Sequence, residues 1–344
     1  MKNIYCILIT LLFFGLEFPF AQQVRVLNLD KPDVSFRGLS VLDNSILWVC
    51  GTKGTIGFSM NDGRNFHWVN PKGYEDRDFR GIAVLDYKTA VAIAVGSPAI
   101  IIRTHDSGKT WREVYRDESP DAFLDAIQFP GSNPNFGMVI GDPVGGKHYY
   151  LKSTDGGNNW EKLADGFLPA AAGKETYFAA SNSSLKIIDE ETFLAVSGGE
   201  QSHLIGNIVS PFNIVLPKSP SPTAGANAID YNEKANFGLI VGGDFEKPED
   251  SENNLFVFEL EKGKTPIISV PETAPTGYKS GVVIINSQEA IACGPSGVDF
   301  SSDNGKNWEK ISETSYHACI KAKYGAKVYL VGPEGRIGYL RINK

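Results

Sequence analysis

The chain reads Ile46-Leu47-Trp48-Val49-Cys50-Gly51 at the first of several places where an apolar segment rich in β-formers ends in glycine. A short turn and a further apolar run follow, which is typical of antiparallel strands joined by hairpins. The same kind of segment recurs at residues 91–96, 137–141, 193–198, 237–242, 290–294 and 327–332. This recurrence predicts a repeat fold in which each repeat forms one small sheet.

A second marker, Ser/Thr-x-Asp-x-Gly-x-x-Trp, is present along the same chain in full copies and in one degenerate copy. In the degenerate copy Asn61 replaces the Asp and Phe66 replaces the Trp. The residues of the marker are Ser59, Asn61, Gly63, Phe66, Thr104, Asp106, Gly108, Trp111, Ser153, Asp155, Gly157, Trp160, Ser301, Asp303, Gly305 and Trp308.

The spacing of the marker counts the repeats independently. Asn61 and Asp106 are 45 residues apart, and Asp106 and Asp155 are 49 residues apart. Asp155 and Asp303 are 148 residues apart, about three such steps, so two repeats without the marker lie between them. Both markers therefore predict seven repeats.

The chemistry of the marker is that of a tight turn. Its Asp and Ser/Thr side chains can form hydrogen bonds within the turn, its Gly permits a positive φ, and its Trp can pack between neighbouring repeats. We therefore predict a structural role for the marker residues. The alternative is that Asp106, Asp155 and Asp303 bind a ligand or an ion.

The predicted fold class is all-β, a seven-bladed β-propeller of four-stranded antiparallel blades. The last blade has room for only about three strands before Lys344, whereas an early strand at 24–28 has no blade of its own. Pairing of this N-terminal strand with the C-terminal blade would close the ring and remove an exposed edge. The predicted blade starts are Phe36, Phe79, Phe123, Asn182, Ala226, Tyr278 and Tyr316.

The first residues have the character of an export signal. Lys2 precedes an apolar run over residues 4–16, and Glu17 interrupts this run before a sequence typical of a processing site. A membrane span needs roughly 18 or more apolar residues. We therefore predict a cleaved signal peptide at 1–21, no membrane span after cleavage, and a single propeller domain at 22–344. The protein is predicted to be exported, to the periplasm or the cell exterior.

Charge and cysteine content narrow the classes of ligand. The formal net charge is −7 with both signs interspersed, so no basic face is available for a nucleic acid. Four cysteines are present; Cys6 lies in the signal, and the other three are too widely spaced for a disulfide framework or a metal site. The sequence predicts buried free thiols, no metal, no cofactor and a monomer.

One face of the propeller is expected to carry function, because the blade starts and the glycine turns lie on the same side, opposite the marker turns. Loops on a rigid scaffold are where binding sites occur. The alternative is that the aromatic residues pack in the core while their polar neighbours are solvated or paired between blades. The candidate binding residues are Arg37, Arg80, Asp125, Asp142, Asn182, Asp244, Lys279 and His317.

A long link at residues 165–181 lies on the same face and bears on the kind of ligand. If this link closes the central mouth, a protein partner is favoured. If the mouth stays open, a small ligand is favoured.

The marker turns make the chain similar to Asp-box (BNR) propellers, among them the sialidases. A closer resemblance is to the seven-bladed photosystem II assembly and stability factors and their relatives in non-photosynthetic bacteria. The glycine-ending strands and the stretches 141–143, 178–182 and 277–280 carry it. The resemblance implies a non-enzymatic scaffold that binds membrane-protein partners and has an arginine-rich patch, for which Arg37 and Arg80 are the matching positions. No feature of the chain identifies a photosystem client.

An enzyme is the alternative, in the form of a sialidase-like or other glycoside hydrolase acting at the central mouth. The stretch 36–39 is similar to the Phe/Tyr-Arg-Ile-Pro motif of sialidases, but it lacks the Pro, and 79–82 repeats it one blade later. A repeated element indicates scaffold, and sialidases have six blades. Gly-rich dinucleotide loops and Gly-x-Ser-x-Gly elbows are absent from the sequence. The sequence therefore predicts a propeller that binds a protein or glycan partner of the cell envelope and has no catalytic residues.

Overall fold

The computed structural model describes residues 23–28, 30–208, 210–261 and 264–342. All regular elements in these ranges are β-strands, and no helix in them is long and apolar enough to cross a membrane. The predicted signal peptide at 1–21 lies outside the described residues. The prediction of an all-β fold is confirmed.

The strands are short, and most of the apolar residues in the inner strands are buried between neighbouring blades. In chain order they are β1 (Arg25–Asn28), β2 (Phe36–Val41), β3 (Leu47–Gly51), β4 (Ile56–Ser59), β5 (His67–Trp68), β6 (Phe79–Val84), β7 (Ala90–Ala94), β8 (Ala99–Thr104), β9 (Arg112–Asp117), β10 (Leu124–Gln128), β11 (Gly137–Val144), β12 (Lys147–Ser153), β13 (Glu161–Lys162), β14 (Glu175–Thr176), β15 (Leu185–Ile187), β16 (Phe193–Val196), β17 (Gly198–Gly199), β18 (His203–Gly206), β19 (Phe212–Val215), β20 (Ala224–Asn232), β21 (Phe237–Asp244), β22 (Leu255–Glu259), β23 (Ile267–Ser269), β24 (Gly281–Ile284), β25 (Ala290–Gly294), β26 (Gly297–Ser301), β27 (Glu309–Ser312), β28 (Ala318–Lys321), β29 (Lys327–Val331) and β30 (Ile337–Arg341).

Seven antiparallel sheets form the blades of a propeller. From the centre outward, blades 1 to 3 are β2–β5, β6–β9 and β10–β13, and blade 4 is β15-β16-β18-β19. Blade 5 is β20–β23, extended at its inner side by the short strands β17 and β14, and blade 6 is β24–β27. The innermost strands contact one another in cyclic order from β2 through β6, β10, β15, β20, β24 and β28 back to β2. The predicted seven-bladed propeller is therefore confirmed.

Blade 7 contains both ends of the described chain. Its sheet has the order β28-β29-β30-β1, so the N-terminal strand supplies the outermost position. Arg25 is paired with Tyr339 and Val26 with Gly338 in an antiparallel ladder. Because β1 covers the backbone edge of β30, the ring closes as the sequence predicted.

The apolar core is divided into layers between neighbouring blades. Each of the seven clusters of buried apolar side chains in the described residues joins two adjacent blades. In the first layer Trp48 stacks on Phe58 with ring centroids 4.9 Å apart, and the edge of Trp111 from blade 2 meets Trp48 at 6.3 Å. Each blade therefore buries its apolar side chains against its two neighbours.

Polar side chains of the innermost strands tie the blades together around the channel. Ser40 Oγ of blade 1 accepts the N–H of Val84 in blade 2 at 3.0 Å. Asp230 Oδ2 of blade 5 accepts the N–H of Ile284 in blade 6 at 2.8 Å, and its Oδ1 meets Lys186 Nζ of blade 4 at 2.6 Å. These contacts satisfy backbone groups that face the channel.

The marker turns join the third and fourth strands of their blades. Thr104 Oγ1 donates to Asp106 Oδ1 at 2.9 Å and accepts the N–H of Gly108 at 2.9 Å. The hydroxyl of Thr110 is the leading cause that lowers the pKa of Asp106 to about 2. The other copies repeat the hydroxyl-to-carboxylate or hydroxyl-to-amide bond and the Gly N–H bond. The observed contacts lie within each turn, and Trp111, Trp160 and Trp308 pack in the layers between blades.

Closure of blade 7 by β1 is testable by shortening the chain. A protein beginning at residue 30 should unfold at lower urea concentration than one beginning at residue 23. It loses the ladder to β30 and the packing of Val24 and Leu27, a loss of about 2–4 kcal/mol. Intrinsic fluorescence measures the transition, and light scattering should show association through the exposed β30 edge. Equal midpoints for the two proteins would show that β1 does not stabilise the ring.

Candidate binding site

The starts of the innermost strands surround a cavity of about 450 Å³ on the face opposite the marker turns. We call this cavity the arginine mouth. Its lining residues are Arg37, Arg80, Phe123, Asp142, Thr176, Tyr177, Phe178, Ala179, Ala180, Asn227, Phe245, Tyr278, Ser280, Pro295 and His317. Of the eight residues predicted for the binding face, the structure brings Arg37, Arg80, Asp142 and His317 together here.

The two arginines differ in how their charge is balanced. Arg80 Nε donates to Asp78 Oδ2 at 2.7 Å, and both side chains are partly exposed. Arg37 has no carboxylate within 4.0 Å among the described residues; its Nη1 donates to the carbonyl of Ala180 at 3.4 Å. Burial, and secondly the neighbouring charge of Arg80, lower the pKa of Arg37. The mouth therefore holds a half-buried guanidinium that lacks a counter-ion from the described chain.

His317 adds a neutral group to this cluster. Its Nε2 lies 3.1 Å from Ser35 Oγ. Burial, followed by the charges of Arg37, Arg80 and Arg336, lowers the pKa of His317 to about 3. The base expected at this blade start is consequently an uncharged imidazole near neutral pH, because surrounding arginines disfavour a further cation.

Two carboxyl groups lie on the blade 3 side of the mouth. Asp142 Oδ1 accepts the N–H of Tyr177 at 2.7 Å, and burial raises the pKa of Asp142 to about 6. Asp125 lies at a bulge in β10 and is 0% exposed. Burial, and secondly Asp142, raise the pKa of Asp125 well above its ordinary value, although Arg80 lowers it. Asp125 therefore lies beneath the cavity instead of facing it, which corrects its predicted place on the surface.

An aromatic wall completes the arginine mouth. The ring of Phe245 meets Phe178 edge-on at 5.5 Å and Tyr278 at 6.4 Å. Phe245 remains 44% exposed, and the Tyr278 hydroxyl donates to Asn227 Oδ1 at 2.7 Å. The site thus combines guanidinium groups with an exposed apolar surface, a composition enriched in protein interfaces.

Residues 178–183, which overlap the end of the long link at 165–181, close the channel below the mouth. The carbonyls of Ala179 and Ala180 accept from Arg80 at 3.5 Å and from Arg37 at 3.4 Å. Asn182 crosses to the innermost strands of two blades: Oδ1 accepts the N–H of Ile127 at 2.8 Å, and Nδ2 donates to the carbonyl of Ile82 at 3.3 Å. The N–H of Ile229 in blade 5 donates to the carbonyl of Ser183 at 2.8 Å. We call 178–183 the plug, because it joins blades 1 to 3 to blade 5 across the channel.

The plug divides the central channel into two compartments. Ala179 and Ala180 line the arginine mouth, whereas Ser181, Asn182 and Ser183 line a separate cavity of about 560 Å³ that extends towards the marker turns. Asn182 was predicted for the binding face, and the structure places it inside the plug. It adopts a positive φ of 60°, a conformation that Asn tolerates better than most residues.

Two other predicted residues are buried away from the mouth. Lys279 is 0% exposed, because its side chain turns into its own blade and meets Asp299 Oδ2 at 2.5 Å. Asp244 is 2% exposed and accepts the hydroxyl of Thr223 at 2.6 Å and the N–H of Glu246 at 3.1 Å, so it orders a turn. Both residues are therefore paired within their own blades, which differs from the predicted binding face and from the alternative of solvation or pairing between blades.

Sequence reasoning missed several residues of the mouth. Asp78 precedes Phe79 directly, so its pairing with Arg80 had a local signal. Phe178 belongs to a stretch that the sequence singled out, and Phe245 follows Asp244. The sequence carried no signal that Phe178 and Phe245 would meet, because Phe178 belongs to the plug whereas Phe245 directly follows β21 of blade 5.

Substitution of Asn182 tests the plug. Asn182→Ala should lower the free energy of unfolding by about 2–4 kcal/mol, because it removes two hydrogen bonds and places a Cβ-bearing residue without a polar side chain at positive φ. Asn182→Gly loses the same bonds without the backbone strain, so it should be less destabilised. Urea unfolding measures both variants. If Ala and Gly at this position leave the stability unchanged, the plug is not held by Asn182.

The raised pKa of Asp142 predicts a pH dependence of stability. Between pH 3.8 and about 6 the folded state retains a proton that the unfolded state has lost, so the wild-type protein loses stability as pH rises through this window. The difference corresponds to roughly 3 kcal/mol. Asp142→Asn removes the titration, and it should therefore be more stable than wild type at pH 7.5 and lose that advantage at pH 4. Urea unfolding at both pH values measures the difference in stability between wild type and Asp142→Asn. A difference of the same size at both pH values would contradict the prediction.

The fold is similar to solved structures, whereas no family model and no curated protein matches the chain. YCF48 bound to a D1 peptide has a TM-score of 0.62 and 14% identity, with 93% of this chain and 97% of that chain covered. YCF48 from Cyanidioschyzon merolae has a TM-score of 0.60 and 18% identity, covering 93% and 99%. The GH74 enzyme of Niastella koreensis has a TM-score of 0.62 and 13% identity, covering 92% of this chain and 53% of the enzyme. At these identities the likeness establishes the seven-bladed fold.

Proposed function

We propose that this protein is a non-enzymatic binding propeller that captures an acidic segment of a protein partner in the arginine mouth. The observation that carries the proposal is Arg37, a half-buried guanidinium with no carboxylate partner among the described residues. A guanidinium offers several N–H donors in a rigid plane that matches a carboxylate. A carboxylate from a partner would supply the missing charge.

Electrostatics at the mouth favour an anionic ligand although the whole chain is acidic. The formal net charge is −7, yet Arg37 and Arg80 lie close together at the mouth, and of these two only Arg80 forms an ion pair with a described residue, Asp78. Burial raises the pKa of Asp125 well above its ordinary value, which reduces the negative charge of that carboxyl. Asp142, with a pKa of about 6, keeps most of its negative charge near neutral pH. In a partly desolvated cavity these charges interact more strongly than on an open surface.

The shape of the mouth favours a protein segment over a ligand that would pass through the channel. The plug closes the floor, so the arginine mouth is a bowl of about 450 Å³ with an exposed aromatic rim. This volume falls within the range of about 300–1,000 Å³ usual for ligand pockets. Side chains of a bound segment can enter such a bowl while the segment's backbone lies across the face.

The structural neighbours support the proposal. One of them, YCF48, is a propeller of the same fold that was determined with a D1 peptide bound. Peptide capture is therefore compatible with this scaffold. The apolar run at residues 4–16 motivates the further proposal that the partner is met outside the cytoplasm.

The second candidate function is glycoside hydrolysis at the mouth, which the GH74 neighbour and the carboxyl pair Asp125 and Asp142 motivate. A hydrolase of this kind needs two carboxyl groups in contact with the substrate. Asp125 is 0% exposed and beneath the lining of the mouth. Binding is therefore the better-supported function.

Neutralising both arginines tests the proposal. Arg37→Gln/Arg80→Gln should weaken binding of a labelled peptide ending in Glu-Glu at least tenfold, because charge-assisted hydrogen bonds to both guanidiniums are lost. Fluorescence polarisation at about 50 mM salt measures the affinity. The matched control is Arg64→Gln/Arg341→Gln, which removes the same charge from exposed arginines outside the mouth.

Equal weakening by the control pair would mean that net charge, and not the mouth, determines binding. Turnover of fluorogenic glycosides by wild-type protein that Asp142→Asn abolishes would replace the binding proposal with the hydrolase. Envelope extract passed over wild type and the Arg37→Gln/Arg80→Gln variant would then identify the partner by the proteins that only wild type retains.

A further inference from the structure

A second pocket lies on the same face, under the loop between β13 and β14. It has a volume of about 240 Å³, and the side chains of Tyr150, Leu163, Phe167 and Leu168 contribute much of its wall. Backbone hydrogen bonds order the loop: the N–H of Phe167 donates to the carbonyl of Ala164 at 3.2 Å, and Ala171 donates to Gly146 at 3.1 Å. We call this cavity the apolar pocket.

The polar groups of the apolar pocket already have partners. His148 Nδ1 lies 2.8 Å from the Tyr177 hydroxyl, which lies 2.6 Å from the Tyr150 hydroxyl. Burial lowers the pKa of His148. At the rim Lys147 Nζ and Asp165 Oδ2 form an exposed ion pair at 2.5 Å. Since none of the described residues that line the cavity places an unpaired charge in it, the group that fits it is uncharged and apolar.

One side chain separates the apolar pocket from the arginine mouth. Tyr177 lines the mouth, its N–H donates to Asp142, and its hydroxyl contacts His148 in the wall of the apolar pocket. Because Tyr177 belongs to the boundary of both cavities, the cavities are neighbours on this face, and an extended strand advances about 10 Å in three residues. A single peptide segment can therefore enter both cavities.

The rim offers surface that a partner would cover. Phe167 is 40% exposed although its ring lies near Phe193, with centroids 6.4 Å apart. An exposed aromatic beside an unfilled apolar cavity is a place where burial of a partner's side chain is favourable.

We infer that the apolar pocket is a second subsite for the same partner, and that it receives a large apolar side chain, such as Phe, about three residues from the acidic group held in the arginine mouth. This inference rests on the proposed function. It adds a specificity rule, because an acidic residue without the correctly spaced apolar residue would bind weakly.

The test compares two labelled peptides that differ in one residue. The first is Gly-Phe-Gly-Ser-Glu-Glu, with Phe three residues before the first Glu, and the second has Ala in place of Phe. Wild type should bind the Phe peptide about tenfold more tightly. Ala164→Trp adds a bulky group at an exposed position in the wall of the apolar pocket and should abolish that preference. Ala274→Trp, at an exposed position outside the pocket, is the matched control and should retain it.

The two proposals fail in different ways. Arg37→Gln/Arg80→Gln should weaken the binding of both peptides and leave the ratio of their affinities unchanged. Equal binding of the two peptides by wild type, with the arginine dependence intact, overturns the apolar subsite and leaves the proposed function standing. A Phe preference that Ala164→Trp abolishes, without any arginine dependence, supports the subsite and overturns the proposed function.

A direct probe covers the case in which both peptides bind too weakly to compare. Saturation-transfer NMR with N-acetyl-phenylalanine amide at millimolar concentration should show contact with wild type and with Ala274→Trp, and a loss of contact with Ala164→Trp. Absence of transfer to wild type, or transfer that Ala164→Trp leaves unchanged, overturns the inference. Thermal midpoints of both Trp variants close to that of wild type confirm that they fold.

Discussion

Closure of the ring is the constraint on which the rest of this structure depends. The apolar core consists of layers between blades, so every blade needs a neighbour on both sides. An open arc of blades would lose one such layer and leave the apolar faces of its two end blades exposed to water. The antiparallel ladder between β1 and β30 completes blade 7 and thereby fixes the position of blade 7 against blade 1. Because strands from both ends of the described residues contribute to one sheet, the non-covalent ladder between β1 and β30 closes the ring.

Closure also creates a channel, and the plug determines what the channel can do. Residues 178–183 reach the innermost strands of several blades through Asn182, Ala179 and Ala180. On one side of the plug the polar side chains Ser40 and Asp230 are engaged in ties between blades. On the other side Arg37 forms no such tie to another blade among the described residues, and it donates to the carbonyl of Ala180 in the plug. The plug thus separates the polar groups that tie blades together from the polar groups that a ligand in the arginine mouth can reach.

The arrangement at the arginine mouth follows from competition between burial and charge. Burial, helped by the arginines, lowers the pKa of His317, and burial raises that of Asp142. The groups that could neutralise the arginines, or add to their charge, are therefore shifted towards their uncharged forms. What remains is a guanidinium pair beside an aromatic wall, and the adjoining apolar pocket extends this surface. A partner with an acidic and an apolar residue in one extended segment matches both features.

The local pattern of the sequence was sufficient to predict the all-β class, the seven blades, their order and the closing N-terminal strand. Glycine-ending strands recur once per blade, and strand pairing within a blade depends on neighbouring stretches of chain. The turn chemistry of the marker is equally local, because its hydrogen bonds join residues two to four positions apart.

The site was only partly predictable. Arg37, Arg80, Asp142 and His317 were placed at the mouth from their positions at blade starts and turns. Side-chain direction decided the others: Lys279 turns inward to Asp299, and Asp125 falls at a bulge beneath the surface. The sequence by itself determined the scaffold, since its repeats act over short distances. The tertiary structure alone decided the plug, the aromatic wall and the apolar pocket, because these bring together residues of different blades whose contact leaves no periodic trace in the chain.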